Sequence, residues 1–362
     1  MIYSLLILVL MNCFIARAGN ELLGIKNDPQ QDTPKIESFD ADAFKDTSLS
    51  IYTENDALST LKDQDYTGGL AVSFSGRQAK EHPVSIDWAL TTANQLLNLE
   101  DKNTTLIDPL YSCEVGFNFF TPSLITDSEP RPNDRPYASV FYMANGQQSL
   151  DYNHRRAWIS SLTLGLMGLD LASTIQNGIH SAIGSDKAVG WRHQISNGGE
   201  PTLKYELTRL WFHPVTNYFD FSTSTSGSLG FLTEGSGSIS LRLGRIRSPW
   251  WTIDSNQNRV GSKTNPNYFY KDKSNDSYLV VGSQLKYRIY NAFLQGQFRS
   301  SNVSYKYSET RPIVLEAWVG WVQEVFESVK ISYIFRYQTS ELEYGLADRD
   351  FTWGGVLINM NL

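Results

Sequence analysis

Residues 51–76 read IYTENDALSTLKDQDYTGGLAVSFSG. Leu70, Val72 and Phe74 alternate with Ala71, Ser73 and Ser75, the two-residue period of a strand with one apolar and one polar face. Just upstream, Leu49, Ile51 and Thr53 stand against Ser50, Tyr52 and Glu54 in the same way. The stretch predicts a β-hairpin whose strand-loop junctions carry Asn55-Asp56 on one side and Asp65-Tyr66-Thr67 on the other. An amide, two carboxylates and a hydroxyl gathered at a hairpin tip pose a question of chemistry as well as of turn formation.

The same alternation recurs along the chain. Ile239, Leu241 and Leu243 oppose Ser238, Ser240 and Arg242, while Val329, Ile331, Tyr333, Phe335 and Tyr337 oppose Lys330, Ser332, Arg336 and Gln338. Trp158, Leu162, Leu164 and Leu166 oppose Ser161, Thr163 and Gly165. In a soluble sandwich the charged face would meet water; in an outer-membrane barrel the apolar face meets lipid and the charges fill the lumen. Segments of about ten residues favour the barrel. So do the aromatics at segment ends, Trp211-Phe212, Trp250-Trp251 and Tyr268-Phe269-Tyr270, which suggest interfacial girdles. The reading is an all-β, twelve-stranded antiparallel outer-membrane β-barrel with strands near 48–55, 66–76, 111–121, 136–149, 156–167, 201–213, 216–226, 236–247, 278–290, 313–323, 328–340 and 351–362. Lys286, Arg288, Lys330 and Arg336 are expected to form an ion-paired plug in its lumen.

Composition agrees. The chain has 362 residues, 41% hydrophobic and 13% aromatic, with 26 Gly, 19 Tyr and 9 Trp. After the opening segment no apolar run approaches the roughly 18 residues that a spanning helix needs. Residues 1–18, MIYSLLILVLMNCFIARA, hold an apolar stretch from Leu5 to Met11 and end in Ala16-Arg17-Ala18, the small-x-small pattern of a signal peptide. Residues 19–47 read as a mobile N-terminal arm and 48–362 as the barrel domain. Removal of the leader would leave Cys113 as the sole cysteine, so no internal disulfide is expected. The formal charge of −7 argues against a nucleic-acid partner.

Two segments lack the strand period. Residues 84–99 are expected to form a helix across the barrel mouth. Residues 170–184, DLASTIQNGIHSAIG, make a short helix in an extracellular loop, with Asp170 as N-cap, Gly184 as C-cap and Ile175, Ile179 and Ile183 as an apolar stripe. His180 shares the polar face with Gln176 and Asn177. That face is read as the one free for chemistry.

With these residues in view the chain resembles the outer-membrane lipid A 3′-O-deacylase family. The matching stretches are Asn55-Asp56, DYTGGL (65–70), FNFFTPS (117–123), NDRPYAS (133–139), IQNGIHSAIG (175–184) and Trp191, in family order. Residues 48–200 carry the match most securely; the C-terminal third matches mainly in pattern. The resemblance implies an integral outer-membrane enzyme, expected as a monomer, whose partner is lipid A of lipopolysaccharide within the outer-membrane lipid. It implies Ca²⁺-dependent hydrolysis of ester-linked acyl chains, the 3′-acyloxyacyl group, at the outer rim of the barrel, with the site facing the extracellular side. An outer-membrane phospholipase and a non-enzymatic, porin-like barrel are the alternatives; the first would need a serine paired with histidine on the outer wall.

The resemblance assigns His180 as the base that activates water and Asp56 as a cation ligand, with Asn55 and Thr67 completing the cation or oxyanion site. Asp56 is a hard oxygen donor suited to Ca²⁺. Strand parity puts Asp56 inward with Ser50 and Tyr52, and Thr67 inward with Ala71 and Ser73; Asn55 falls outward and needs a bulge to join them. The chain departs from the family at two positions. Asp186 stands where the family has Glu six residues after the histidine, which makes it a second candidate metal ligand. Asp127 stands where a basic residue is expected, and Arg131 and Arg135 are the nearby candidates for binding lipid A phosphates.

Overall fold

The computed structural model describes residues 47–60, 65–97, 106–248, 250–252, 276–326 and 329–362. The proposed signal peptide, nearly all of the N-terminal arm and the aromatic cluster at 268–270 lie outside them.

Twelve antiparallel strands close into a barrel in chain order, with β1 hydrogen-bonded to β12. They are β1 (Ser48–Asn55), β2 (Asp65–Ser75), β3 (Leu106–Thr121), β4 (Ala138–Asp151), β5 (Arg156–Met167), β6 (Glu200–Pro214), β7 (Phe219–Gly230), β8 (Leu232–Arg245), β9 (Ser277–Asn291), β10 (Ile313–Phe326), β11 (Val329–Gln338) and β12 (Phe351–Asn361). The hairpin pairs Ile51 with Val72 and Tyr52 with Ala71, so apolar residues meet on one face and small or polar ones on the other. Closure removes every free sheet edge, the condition for a sheet to cross lipid. Ile51, Leu70, Val115, Met143, Leu203 and Leu279 point outward and are exposed, which is the lipid-facing band.

The inward residues fill the lumen in distinct zones. Tyr52, Phe120, Phe231, Phe293 and Trp353 pack inside the extracellular mouth. Leu110, Leu150, Ile159, Leu210, Phe212 and Trp251 form an apolar stopper at the periplasmic end. Trp251 and Phe212 are therefore core residues, not parts of an interfacial girdle. Outward Trp158 and Trp211 take that place, with the Arg209 guanidinium 4.8 Å from one ring and 5.1 Å from the other. The expected ion-paired plug is present. Fully buried Glu316 bridges Lys286 and Arg336, the latter at 2.7 Å; Lys330 pairs with Asp276 at 2.7 Å and Arg288 with Glu234 at 2.7 Å.

Both helices form near their expected positions but pack differently from the sequence reading. Helix α1 (Asp87–Leu96) does not cross the mouth: Ile86 and Leu90 lie against outward-facing Leu162, Leu164 and Tyr205, on the outside of the wall. Helix α2 (Leu171–Ile183) ends at Gly184 in the left-handed region, φ 74°, as a C-cap should. Asp170 at its start has helical backbone angles and makes no side-chain cap. Only part of the apolar stripe packs: Ile175 lies against the cluster of Phe119, Ala172 and Trp191. Ala172, Gln176 and His180 are buried, whereas Ile179 is 53% exposed.

Candidate active site

The site begins at a register shift. The β2–β3 ladder pairs Asp65 with Thr121 and Gly68 with Phe119, so Tyr66 and Thr67 together face one residue of β3. This bulge moves Thr67 off the inward parity expected for it. Its hydroxyl meets the hydroxyl of Thr121, which alternates with lumen-facing Asn118 and Phe120 and so belongs to the outer face with Phe117 and Phe119. Asn55 needs no bulge of its own. It is already on that face, and its amide nitrogen donates to the Thr67 carbonyl. Gly68 leaves room for this: a Cβ there would lie 3.2 Å from the Glu54 carbonyl oxygen and 3.4 Å from the Asn55 amide nitrogen. Asp56 follows directly and is buried, its backbone carbonyl accepting from Ser59 at the first helical turn of the loop.

Helix α2 covers this part of the outer wall. Ala172 and Ile175 pack with Phe117, Phe119 and Trp191. Gln176 accepts from the Trp191 indole at 2.7 Å. The Asn177 amide clasps both backbone groups of Ala188, accepting from its nitrogen at 2.8 Å and donating to its oxygen at 2.9 Å. These bonds hold the polar side of the helix inward, and His180 is 4% exposed on that side. His180 Nδ1 bonds the Asp186 carbonyl. A carbonyl only accepts, so Nδ1 carries the hydrogen and the lone pair of the neutral ring sits on Nε2.

The neighbouring loop is tied down by Asp134. It accepts from the Ser123 backbone at 3.0 Å and hydroxyl at 2.6 Å, and from the Arg135 backbone at 2.8 Å. It also pairs with the Arg349 guanidinium at 3.3 Å. The TPS and NDRP stretches thus clasp one another. Asp134, Asn177, Gln176 and Thr121 were not singled out from the sequence for these roles, because each acts through a partner distant along the chain.

Of the seven residues proposed from the sequence, Asn55, Asp56 and Thr67 come together at the tip of the first hairpin, and His180 lies on the buried side of the helix that packs beside it. Asp186 gives its backbone carbonyl to His180 and is itself exposed. Arg131 sits half-buried in the β3–β4 loop. Arg135 turns away from this group into the barrel mouth, where it pairs with Glu341 at 2.7 Å and lies 4.7 Å over the Phe120 ring. Burial alone would raise the Glu341 carboxyl, but Arg135 and Arg288 overcome it and hold it at about 2. A depressed carboxyl contributes stability that is present above its unfolded value of about 4.3 and lost as pH falls toward the folded one. Limited proteolysis of the 339–350 loop is therefore expected to stay slow at pH 5 and to accelerate between pH 4.3 and about 2.

Asn55, Asp56, Thr67 and Thr121 offer carboxylate, amide and hydroxyl oxygens, a donor set that fits a hard cation such as Ca²⁺ and not zinc. Among the described residues there is no cluster of three or more His, Cys, Asp or Glu that could hold a metal.

A closed twelve-stranded barrel with a lipid-facing band and an extracellular helix clamped to its outer wall defines an integral outer-membrane protein. The chain belongs to the family described as "Outer membrane protein LpxR", whose profile it matches over residues 6–362. Its structure superposes on LpxR from Salmonella typhimurium with a TM-score of 0.64 at 17% identity, covering 87% of this chain and 100% of that one. The KdgM porin (TM-score 0.36, 8% identity, 87% and 99% coverage) and the translocator domain of the autotransporter NalP from Neisseria meningitidis (0.39, 8%, 88% and 89%) are more distant. No curated protein sequence matches.

Proposed function

We propose that the protein is a lipid A deacylase that hydrolyses the ester of the 3′-acyloxyacyl group of lipopolysaccharide in the outer leaflet. The observation that carries the reading is the buried His180, whose Nδ1 is committed to the Asp186 carbonyl, on the helix that covers the wall bearing Asn55, Asp56 and Thr67. Family membership supports it.

In this mechanism His180 Nε2 takes a proton from water as the water oxygen forms a bond to the ester carbonyl carbon. The tetrahedral adduct then breaks its bond to the sugar 3′-oxygen, which receives the proton from His180 and leaves as the alcohol. The acid is released as a carboxylate, its proton passing to solvent. Asp56, with Asn55 and Thr67 beside it, would hold Ca²⁺, which supplies positive charge to the carbonyl oxygen as charge develops there. The Asp186 carbonyl keeps the ring in the productive tautomer, and Gln176 and Asn177 hold the helix against the wall. Arg131 is the candidate contact for a lipid A phosphate, Arg135 being committed to Glu341.

Deacylation of purified lipid A tests the reading. Turnover is expected to vanish in excess chelator and to return on addition of Ca²⁺ but not of Zn²⁺. Unchanged turnover in chelator would remove the cation from the mechanism, and no turnover under any condition by folded protein would remove the activity.

A further inference from the structure

Helix α1 lies where lipid is expected. Outward positions alternate with lumen positions along β4 and β5, and Asn145, Gln147 and Ser160 fall on the outward set, facing the bilayer. Polar side chains on a lipid-facing wall are costly unless bonded. Here α1 and the two residues before it bond all three. The Ile86 backbone donates to Asn145 Oδ1 at 2.8 Å, Gln147 Nε2 donates to Asp87 Oδ1 at 2.8 Å, and Asn94 Nδ2 donates to Ser160 Oγ at 2.9 Å. Tyr205 donates its hydroxyl to Asn94 at 2.8 Å. Fully buried Leu90 adds apolar contact with Leu162. The seam is thus matched by bonds from both sides.

Its height along the wall is fixed by the aromatics. Trp158 and Trp211 are paired neighbours through Arg209 at the periplasmic edge of the lipid band. Ser160, Leu162 and Leu164 are the next outward positions of β5 toward the membrane centre. The helix therefore sits within the apolar band, continuous with exposed Leu166 and Leu203. Its far side carries Trp88, 74% exposed, and Leu96, 82% exposed. A short helix just before it holds Lys80, whose ammonium lies 5.3 Å from the Tyr111 ring. The bonded polar groups and Leu90 thus face the wall, and the far side presents Trp88 and Leu96 with Thr92 and Gln95 between them.

We propose that α1 is an in-plane membrane helix: it seals a polar seam on the lipid face of β4–β6 and presents Trp88 and Leu96 to the acyl chains of the periplasmic-leaflet phospholipids, with Lys80 at their phosphates. The full protein, reconstituted in phosphatidylethanolamine–phosphatidylglycerol vesicles, is compared with Trp88→Phe; the exposed ring makes no packing contact needed for folding, and heat-modifiable mobility checks that both are folded. The wild-type-minus-variant emission isolates Trp88. It is expected to be blue-shifted, to lose at least half its intensity when the acyl chains are brominated, and to resist acrylamide. Emission at the wavelength of water-exposed tryptophan, quenched by acrylamide and indifferent to bromolipid, would place the helix in the periplasm and overturn the proposal.

Discussion

Replacing His180 with alanine is expected to lower lipid A deacylation by roughly 10² to 10⁴ while leaving the barrel folded. The ring is buried, but the helix is fastened by other groups: the Gln176–Trp191 bond, the Asn177 clasp on Ala188 and the contact of Ala172 and Ile175 with the phenylalanine wall. Truncation is therefore expected to remove the proposed base and one bond to the Asp186 carbonyl while α2 stays in place. His180→Gln separates the two roles, since its amide can still donate to the Asp186 carbonyl yet cannot take a proton. Both variants are compared with wild type at equal heat-modifiable fractions. Loss in both supports proton transfer; wild-type turnover in either would return His180 to a structural role.

The largest expected effect on stability lies in the lumen. Glu316 is fully buried and bridges fully buried Lys286 and Arg336, and Arg336 also approaches Glu54 at 3.7 Å. Truncating one member of a buried ionic group strands the others in a medium that solvates charge poorly, at a cost of about 3–5 kcal/mol. Glu316→Ala should shift the urea midpoint of unfolding, read by heat-modifiable mobility, by an amount consistent with that loss. Glu316→Gln keeps the shape and an acceptor oxygen and should lose less. An unchanged midpoint in the alanine variant would mean that lumen water takes over the charges.

What the sequence revealed follows from which interactions are local. All twelve strands were legible because lumen and lipid impose opposite chemistries on alternate residues, and the ends were placed to within a few residues except where β3 begins, at Leu106 and not 111. The lumen ion pairs were legible for the same reason. Helix α2 was legible as a helix but its orientation was not: an isoleucine stripe normally marks the packed side, and here Gln176 and His180 go inward because Trp191, fifteen residues on from the first, and the Asp186 carbonyl, six residues on from the second, satisfy them. Helix α1 was misplaced although its signal was present, in Asn145, Gln147 and Ser160 standing on the outward parity of two lipid-facing strands. The bulge at Tyr66-Thr67 left no mark in the alternation, since it falls at the strand end where parity has no following residues to register it. Arg135 looked like a phosphate contact because its partner, Glu341, is 206 residues away.

The central claim is an activity on lipid A, and its most direct measurement is mass spectrometry of lipid A extracted from cells expressing the protein, beside cells expressing His180→Ala. The account predicts a lipid A species lighter by one 3′-acyloxyacyl group with the wild type and unaltered lipid A with the variant. Identical spectra from both, with wild-type protein folded in the outer membrane and Ca²⁺ present, would contradict it.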